Sequence, residues 1–227
     1  MAVTVGLAGI TGNFGRLLAT HLIKNPNVIL RGYARDPSKV IPSITSAPKV
    51  QIFQGSPFEE DKVHAFAKGC DVVICSYLGD DKLMVDGQKA LIDACEAEGV
   101  ARYVASDWCL DYTKLEIGEL FPKDPMIHVK AYLEAKKNVK GVHIFVGGFM
   151  DPVFSPLFQT FDPATCTFRY WGDGTEPWEG TSYDNAAAYT AATAVDGSAT
   201  GVQRNVDVFN NVDFPFVLAK TANGYAM

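Results

Sequence analysis

Glycines near the start of the chain are spaced for chemistry that needs exposed backbone. The run "VGLAGITGNFGRLLATHL" has glycines at 6, 9, 12 and 15, between an apolar stretch and a helical pattern. A pyrophosphate can approach the first N–H groups of a helix only where side chains are missing. We therefore assign Gly9 to the turn, Gly12 to the phosphate approach and Gly15 to the helix–strand contact. This context favours a dinucleotide site over a structural turn without a ligand.

The end of the second apolar run carries the residues that choose between two dinucleotides. An acid about 20 residues past the glycines binds the ribose hydroxyls of NAD, whereas an arginine there accommodates the 2′-phosphate of NADP. The run "VILRGYA" is followed by Arg35, then by Asp36 and, close by, Lys39. Because Arg35 comes first, we expect NADP(H). A solvated Arg35, or an Asp36 that faces the ribose, are the alternatives.

Apolar runs alternate with amphipathic segments through the first two thirds of the chain. The pattern predicts strands near 3–8, 27–34, 49–54, 71–76, 101–105 and 143–148, and helices near 13–24, 59–68, 83–98 and 126–138. Nearly continuous Val/Ile/Phe runs are typical of a parallel sheet covered on both faces. The alternation therefore predicts an α/β class with a doubly wound parallel sheet.

The texture changes after residue 148. Residues 149–182 are rich in Pro, Gly and aromatic residues, and they are followed by a helical pattern at 183–196 and a strand pattern at 203–210. We predict a cofactor-binding domain over residues 1–148 and a substrate-side lobe over 149–227 that is interwoven with the sheet.

Composition excludes several function classes. The net charge is −6 and the basic residues are scattered, which argues against a nucleic-acid partner. No apolar stretch approaches the ~18 residues that span a bilayer, and no signal peptide opens the chain, so we expect no membrane partner and a cytoplasmic location. The five cysteines include no C-x-x-C pair, and the four histidines show no metal-ligand spacing.

An ordered set of motifs resembles one family. The segments "GITGNFG", "YARDPSK", "DGQKALIDACEAEGVARYVASDW", "HVKAYLE" and "YWGDGTEPWEGTSYDNAAAYTAA" are similar to the NmrA-like, isoflavone-reductase-like atypical short-chain dehydrogenases, fungal members above all. The resemblance covers nearly the whole chain. It implies a Rossmann fold that binds NADP(H), with a small C-terminal substrate lobe.

The resemblance also implies a set of site residues. Carried over by position, the cofactor would be bound by Gly9, Thr11, Gly12, Asn13, Phe14, Gly15, Arg35, Lys39, Ser76, Tyr77, Ser106, Lys130, Val146, Gly147 and Gly148. The substrate would lie against Trp108, Phe149 and Trp171. These aromatic residues predict an apolar, aromatic small molecule as substrate.

Lys130 is the residue to which the resemblance assigns acid/base chemistry. A lysine can act in this way when burial or a neighbouring cation lowers its pKa. A solvated helix lysine is the alternative. Tyr132 and Lys136 have the Tyr-x-x-x-Lys spacing of ordinary short-chain dehydrogenases, which we interpret as coincidence, and His128 is a candidate helper without an assigned role.

Three functions are compatible with these residues. The first is an NADPH-dependent reductase that transfers hydride to a carbonyl or conjugated alkene. The second is an NmrA-type redox sensor that binds the dinucleotide without turnover, and the third is an isomerase or cyclase. The chain ends earlier than the family pattern, at Met227. This predicts an abbreviated substrate lobe, which leaves a more open pocket, a pocket completed by a partner subunit, or no turnover. It also predicts apolar surface near the C-terminus that favours a homodimer.

Overall fold

A seven-stranded parallel sheet forms the centre of the computed structural model, which describes residues 2–155, 158, 160–169, 175, 177–205 and 207–209. The strands are β1 (Val3–Ala8), β2 (Val28–Ala34), β3 (Val50–Gln54), β4 (Val72–Cys75), β5 (Arg102–Val104), β6 (Lys140–Phe145), β7 (Gly148–Phe149), β8 (Phe161–Asp162), β9 (Thr167–Phe168), β10 (Trp178–Thr181), β11 (Gly201–Arg204) and β12 (Asp207–Phe209). The main sheet has the order β11-β6-β5-β4-β1-β2-β3, which is the doubly wound arrangement predicted from the sequence.

Helices cover both faces of this sheet. They are α1 (Asn13–Ile23), α2 (Pro42–Thr45), α3 (Glu60–Ala67), α4 (Gln88–Ala97), α5 (Asp124–Glu134), α6 (Met150–Val153) and α7 (Tyr183–Val195). Short 3-10 turns lie at Pro37–Lys39 and Phe121–Lys123, and a π-helical segment at Lys82–Gly87 leads into α4. No helix in this part of the chain is both long and apolar enough to cross a membrane.

The core lies in two layers because alternate residues of each strand point to opposite faces. In β4, Val73 and Cys75 pack with α3, α4 and α5, while Val72 and Ile74 pack with α1, α2 and α7. All four β4 residues are fully buried. A strand covered on both faces needs a continuous apolar run, which explains the "VVIC" pattern.

Three predicted boundaries were wrong. The sixth strand begins at Lys140 and ends at Phe145, earlier than predicted, because Gly147 takes a left-handed conformation (φ 65°). Helix α5 ends at Glu134 rather than near 138, because the backbone N–H groups of Asn138 and Val139 donate to the Glu96 carboxylate on α4.

The third wrong boundary is the strand predicted near 203–210, which is two strands. Strand β11 pairs in parallel with β6 in the main sheet, and β12 pairs antiparallel with β10 in a small sheet. Asn205 separates them, and its N–H donates to the carbonyl of Phe145. Residues after 148 therefore contribute to the main sheet, and the domain boundary at 148 stays a prediction.

Arg102 joins the sheet to the end of α7. Its buried guanidinium donates to the carbonyls of Thr193 (3.2 Å), Ala194 (2.8 Å) and Asp196 (2.7 Å). The last carbonyls of a helix have no partner within the helix, so this arginine satisfies them.

We expect Arg102→Met to lower the free energy of unfolding by about 2–4 kcal/mol, because buried carbonyls lose a charged donor. Arg204→Met is the matched control, since its guanidinium makes an exposed ion pair with Asp111 and should contribute less than about 1 kcal/mol. Urea unfolding of both variants measures the difference. Equal losses would contradict the assigned role of Arg102.

Candidate functional site

A cleft of about 570 Å³ opens at the carboxyl ends of the central strands. Its lining comprises Gly9, Thr11, Gly12, Asn13, Phe14, Gly15, Tyr33, Ala34, Arg35, Gly55, Pro57, Ser76, Tyr77, Leu78, Leu83, Met84, Ser106, Asp107, Trp108, Cys109, Lys123, Met126, Phe149 and Tyr183. In open α/β sheets, ligands bind at this edge where the strand order reverses, here between β1 and β4.

The glycine turn is shaped by contacts that leave no room for side chains. Gly9 has φ 86°, and a Cβ there would lie 2.7 Å from the Ser76 carbonyl oxygen. A Cβ on Gly15 would lie 2.3 Å from the Gly9 carbonyl oxygen. Gly12 precedes α1 and provides no side-chain cap, so the first N–H groups of the helix have no side-chain acceptor. These orphan donors and the positive end of the helix dipole favour an anion.

Two charged residues follow β2, and of these Arg35 lines the cleft whereas Asp36 does not. The Asp36 carboxylate accepts from the Ser38 N–H (3.1 Å) and hydroxyl (2.6 Å), and it caps the 3-10 turn. These bonds lower the pKa of Asp36, so the carboxylate stays charged and engaged. Lys39 pairs with Asp36 at 3.8 Å and is not among the lining residues.

Two tyrosines lie beside Arg35 in the lining. The Tyr33 hydroxyl donates to the Ser56 carbonyl (2.7 Å), and burial raises the pKa of Tyr33 to about 12. The Tyr77 hydroxyl is buried and has no hydrogen-bond partner in the described structure. Burial also raises the pKa of Tyr77 well above its usual value, so this phenol is a neutral donor without an acceptor.

Ser76 and Ser106 line the cleft, but their hydroxyls hold the strand ends together. Ser76 Oγ donates to the Ala8 carbonyl (2.9 Å), and Ser106 Oγ donates to the Tyr77 carbonyl (2.7 Å). Buried Gln88 accepts from the Ser106 N–H (3.1 Å). These bonds fix the loops that follow β4 and β5 at the cleft floor.

Four aromatic side chains of the cleft lining pack against one another. Phe14 packs against Trp108 (ring centroids 4.5 Å apart) and Phe149 (5.6 Å), and Phe149 packs against Tyr183 (4.3 Å). The Trp108 indole N–H donates to Thr190 Oγ1 on α7 (2.9 Å). Helix α7 therefore positions two of the four rings. We call Phe14, Trp108, Phe149 and Tyr183 the aromatic wall.

A buried polar network lies behind this wall. His143 Nδ1 lies 2.7 Å from Asp107 Oδ2 and 3.3 Å from the Tyr112 hydroxyl. Burial and the Asp107 charge raise the pKa of Tyr112, so it stays neutral. Asp107 Oδ1 is buried without a partner among the described residues. Asp107, the acid of the "SDW" triplet, thus lines the cleft, and its Oδ2 is held by His143.

The lysines of the α5 region are divided between the cleft and the outer surface. Lys123, in the turn before α5, lines the cleft together with Met126. Lys130 lies four residues after Met126, one helical turn further along α5. It pairs with Glu134 and is not among the lining residues. The catalytic role of Lys130 stays a prediction that rests on the resemblance.

The Tyr132/Lys136 pair lies outside the cleft. Both side chains contact the Asp93 carboxylate on α4, and neither lines the cleft. His128 is exposed on α5. These placements agree with the interpretation of the Tyr-x-x-x-Lys spacing as coincidence.

The remaining predicted residues lie at the margin or outside the described structure. Val146 is buried, and Gly147 and Gly148 lie beside β10, where a Cβ on Gly147 would meet the Glu179 backbone. They are not in the lining, although Phe149 is. Trp171 lies outside the described residues.

Sequence reasoning missed several lining residues. The lining residues that were not assigned to the site include Tyr33, Gly55, Pro57, Leu78, Leu83, Met84, Cys109, Lys123, Met126 and Tyr183. Tyr33 lies two residues before Arg35 and Cys109 directly follows Trp108, so their neighbourhood was a usable signal. Lys123 gave none, because it lies in a loop far from the other residues in sequence.

Comparisons with known proteins agree with this geometry. Residues 9–142 match the family model described as NAD(P)H-binding. An oxidoreductase of Cryptosporiopsis sp. (dmxR7) is 30% identical over 83 residues, which is 35% of each chain. An oxidoreductase of Pestalotiopsis microspora (GME11367) is 28% identical over 83 residues, 35% of this chain and 32% of that protein. The match spans about a third of each curated relative.

Solved structures confirm the fold implied by the resemblance. An isoflavone reductase superposes with a TM-score of 0.77 at 18% identity, over 100% of this chain and 77% of that one. The leucoanthocyanidin reductase–NADPH complex of Vitis vinifera gives 0.77 at 18% identity, over 99% and 75%. The NADPH complex of the Escherichia coli quinone oxidoreductase QOR2 gives 0.78 at 14% identity, over 96% and 75%.

Gly12→Ala tests whether a ligand approaches the glycine turn, because the change should affect ligand affinity more than stability. The new Cβ would lie 3.3 Å from the Gly9 carbonyl oxygen, and the backbone of Gly12 is extended, so the change requires only a small shift of the Gly9 carbonyl. We expect the unfolding free energy to change by less than about 1 kcal/mol. NADPH affinity should fall at least about tenfold, because the methyl group blocks the approach of the phosphates.

Titration of nicotinamide fluorescence measures the affinity. Gly197→Ala is the control, because its Cβ would meet nothing within 4 Å. Unchanged NADPH affinity in Gly12→Ala would show that the phosphates do not approach this residue.

Proposed function

Since this chain belongs to the NAD(P)H-binding family, we propose that it is an NADPH-dependent reductase of small aromatic carbonyl compounds or conjugated alkenes. One observation carries the proposal: a single cleft is lined both by the glycine turn with Arg35 and by the aromatic wall. Such a cleft can hold a dinucleotide and present its reactive end to an apolar partner.

The residues present fit a dinucleotide. The glycine turn leaves space where side chains would collide, and the uncapped start of α1 offers N–H donors to a pyrophosphate. The Tyr77 hydroxyl supplies a further donor that lacks an acceptor. The bound cofactor would supply the hydride, and the protein would supply orientation and charge.

The choice of NADP(H) over NAD(H) is supported by the charges after β2. Arg35 lines the cleft, whereas Asp36 is committed to Ser38 and Lys39. An arginine that faces the cleft attracts a 2′-phosphate, and an acid turned away does not compete for the ribose hydroxyls. The net charge near the adenosine end therefore favours the phosphorylated dinucleotide.

The substrate class is supported by the aromatic wall. Its rings offer flat apolar surface, and Met126 adds a flexible apolar contact. A planar aromatic molecule would pack on these rings and exclude water from the reacting atoms. The structural relatives described as isoflavone and leucoanthocyanidin reductases are named for aromatic compounds, which points in the same direction.

A redox sensor is the second candidate function. The observation that favours it is the pairing of Lys130 with Glu134, which leaves the residue assigned to acid/base chemistry outside the cleft. A sensor needs the dinucleotide site but no group that handles a substrate proton.

NADPH oxidation with a panel of quinones, aromatic aldehydes and aromatic enones distinguishes the two functions. We expect NADPH consumption with at least one acceptor and a reduced product in equal amount. Tight NADPH binding without consumption of any acceptor would overturn the reductase and favour the sensor. Product formation without net consumption would indicate an isomerase.

Arg35→Ala tests the cofactor preference. We expect NADPH affinity to fall roughly 10–150-fold, since a charge-assisted bond contributes about 1.5–3 kcal/mol, and NADH affinity to change little. Lys39→Ala is the matched control, because this lysine pairs with Asp36 away from the cleft. Side-by-side fluorescence titrations of both dinucleotides give the ratio. Equal losses for NADPH and NADH in Arg35→Ala would contradict the role.

A further inference from the structure

Lys123 is one of two basic residues among the described residues that line the cleft. It ends the 3-10 turn Phe121–Lys123, directly before α5, and lines the cleft with Cys109 and Met126. Arg35 is the other basic residue among the described lining residues, and it lies at the adenosine end. The two cations belong to different segments of the lining, since Arg35 follows β2 and Lys123 lies near Cys109.

The Lys123 ammonium has no carboxylate partner among the described residues. By contrast, Lys39, Lys130 and Lys136 each pair with a carboxylate. A cation that lines the same cleft as the aromatic wall and lacks a carboxylate partner is available to a ligand, and its attraction is strengthened when the ligand displaces water.

Lys123 influences the pKa of the neighbouring Cys109 thiol. Burial raises the pKa of Cys109 to about 12, while the Lys123 ammonium opposes this rise more strongly than the Asp107 carboxylate adds to it. Asp107 is the acid among the described lining residues, and its Oδ2 is directed at His143. Lys123 therefore lies close to Cys109, which directly follows Trp108 of the aromatic wall.

We propose that Lys123 and the aromatic wall form an oxygen-binding subsite for a small aromatic molecule that carries a carbonyl or carboxylate group. The ring of this molecule packs on Trp108 and Phe149, and its oxygen accepts a hydrogen bond from the Lys123 ammonium. This inference rests on the proposed function, because the aromatic wall faces the substrate only if the glycine turn holds the dinucleotide.

The subsite has a direct consequence for reduction. When a hydride reaches a carbonyl or a conjugated alkene, negative charge develops on the acceptor oxygen. An ammonium placed at that oxygen stabilises the charge more in the transition state than in the ground state. Lys123 would then contact the substrate, whereas Lys130 would stabilise α5 through its pair with Glu134.

Binding of trans-cinnamate tests the subsite without turnover. Calorimetric titration of the NADP⁺-loaded protein compares cinnamate with its neutral analogue methyl cinnamate, in wild type, Lys123→Met, Lys123→Arg and Lys137→Met. We expect Lys123→Met to weaken cinnamate binding roughly 10–150-fold, as for loss of a charge-assisted bond, and methyl cinnamate binding less than about threefold. Lys123→Arg should retain most of the affinity, and Lys137→Met should match wild type, because Lys137 is exposed and is not among the lining residues.

Two results would overturn the proposal. One is wild-type protein that binds cinnamate no better than methyl cinnamate; the other is Lys123→Met with unchanged cinnamate affinity. NADPH titration of the same proteins separates this outcome from failure of the proposed function. NADPH binding by Lys123→Met at wild-type affinity shows an intact cofactor site, whereas wild-type protein that binds no NADPH contradicts the proposed function itself.

Discussion

The contact between the Gly9 carbonyl and Gly15 determines how close α1 lies to β1. A Cβ on Gly15 would come within 2.3 Å of that oxygen, so the helix can begin directly at the strand end only because the methyl group is missing. The same approach aims the start of α1 at the cleft and brings Phe14 against Trp108. The anion-binding end and the aromatic wall are thus set by one backbone contact.

The cofactor half could be predicted because its signals are local. The glycines, the helix after them and Arg35 at the end of β2 occupy fixed positions along one βαβ unit, so spacing alone places them together. The doubly wound parallel sheet followed from the alternation of apolar runs with amphipathic segments. Strand ends were less predictable, as β6 shows, because Gly147 ends the strand through a backbone conformation that composition does not reveal.

The substrate half could not be predicted to the same depth because its contacts join distant segments. Trp108 meets Thr190, and Asp107 meets His143, through pairings that depend on the assembled sheet. The resemblance pointed to Lys130, but a helix presents residues one turn apart to nearly the same side, and packing decides which of them reaches the cleft. In α5 the buried positions are Pro125, Met126, Val129 and Leu133, which leaves Lys130 beside Glu134.

Helix α7 connects the cleft, at the carboxyl ends of the strands, to the amino end of the inner strand β5. Its first residue, Tyr183, belongs to the aromatic wall, its middle residue Thr190 holds Trp108, and its last carbonyls are held by Arg102 on β5. A molecule that packs against Tyr183 and Trp108 therefore adds its binding free energy to the docking of the whole helix. By mass action, occupancy of the cleft would raise the melting temperature of the fold, so a simple thermal melt can serve as a screen for its natural ligand.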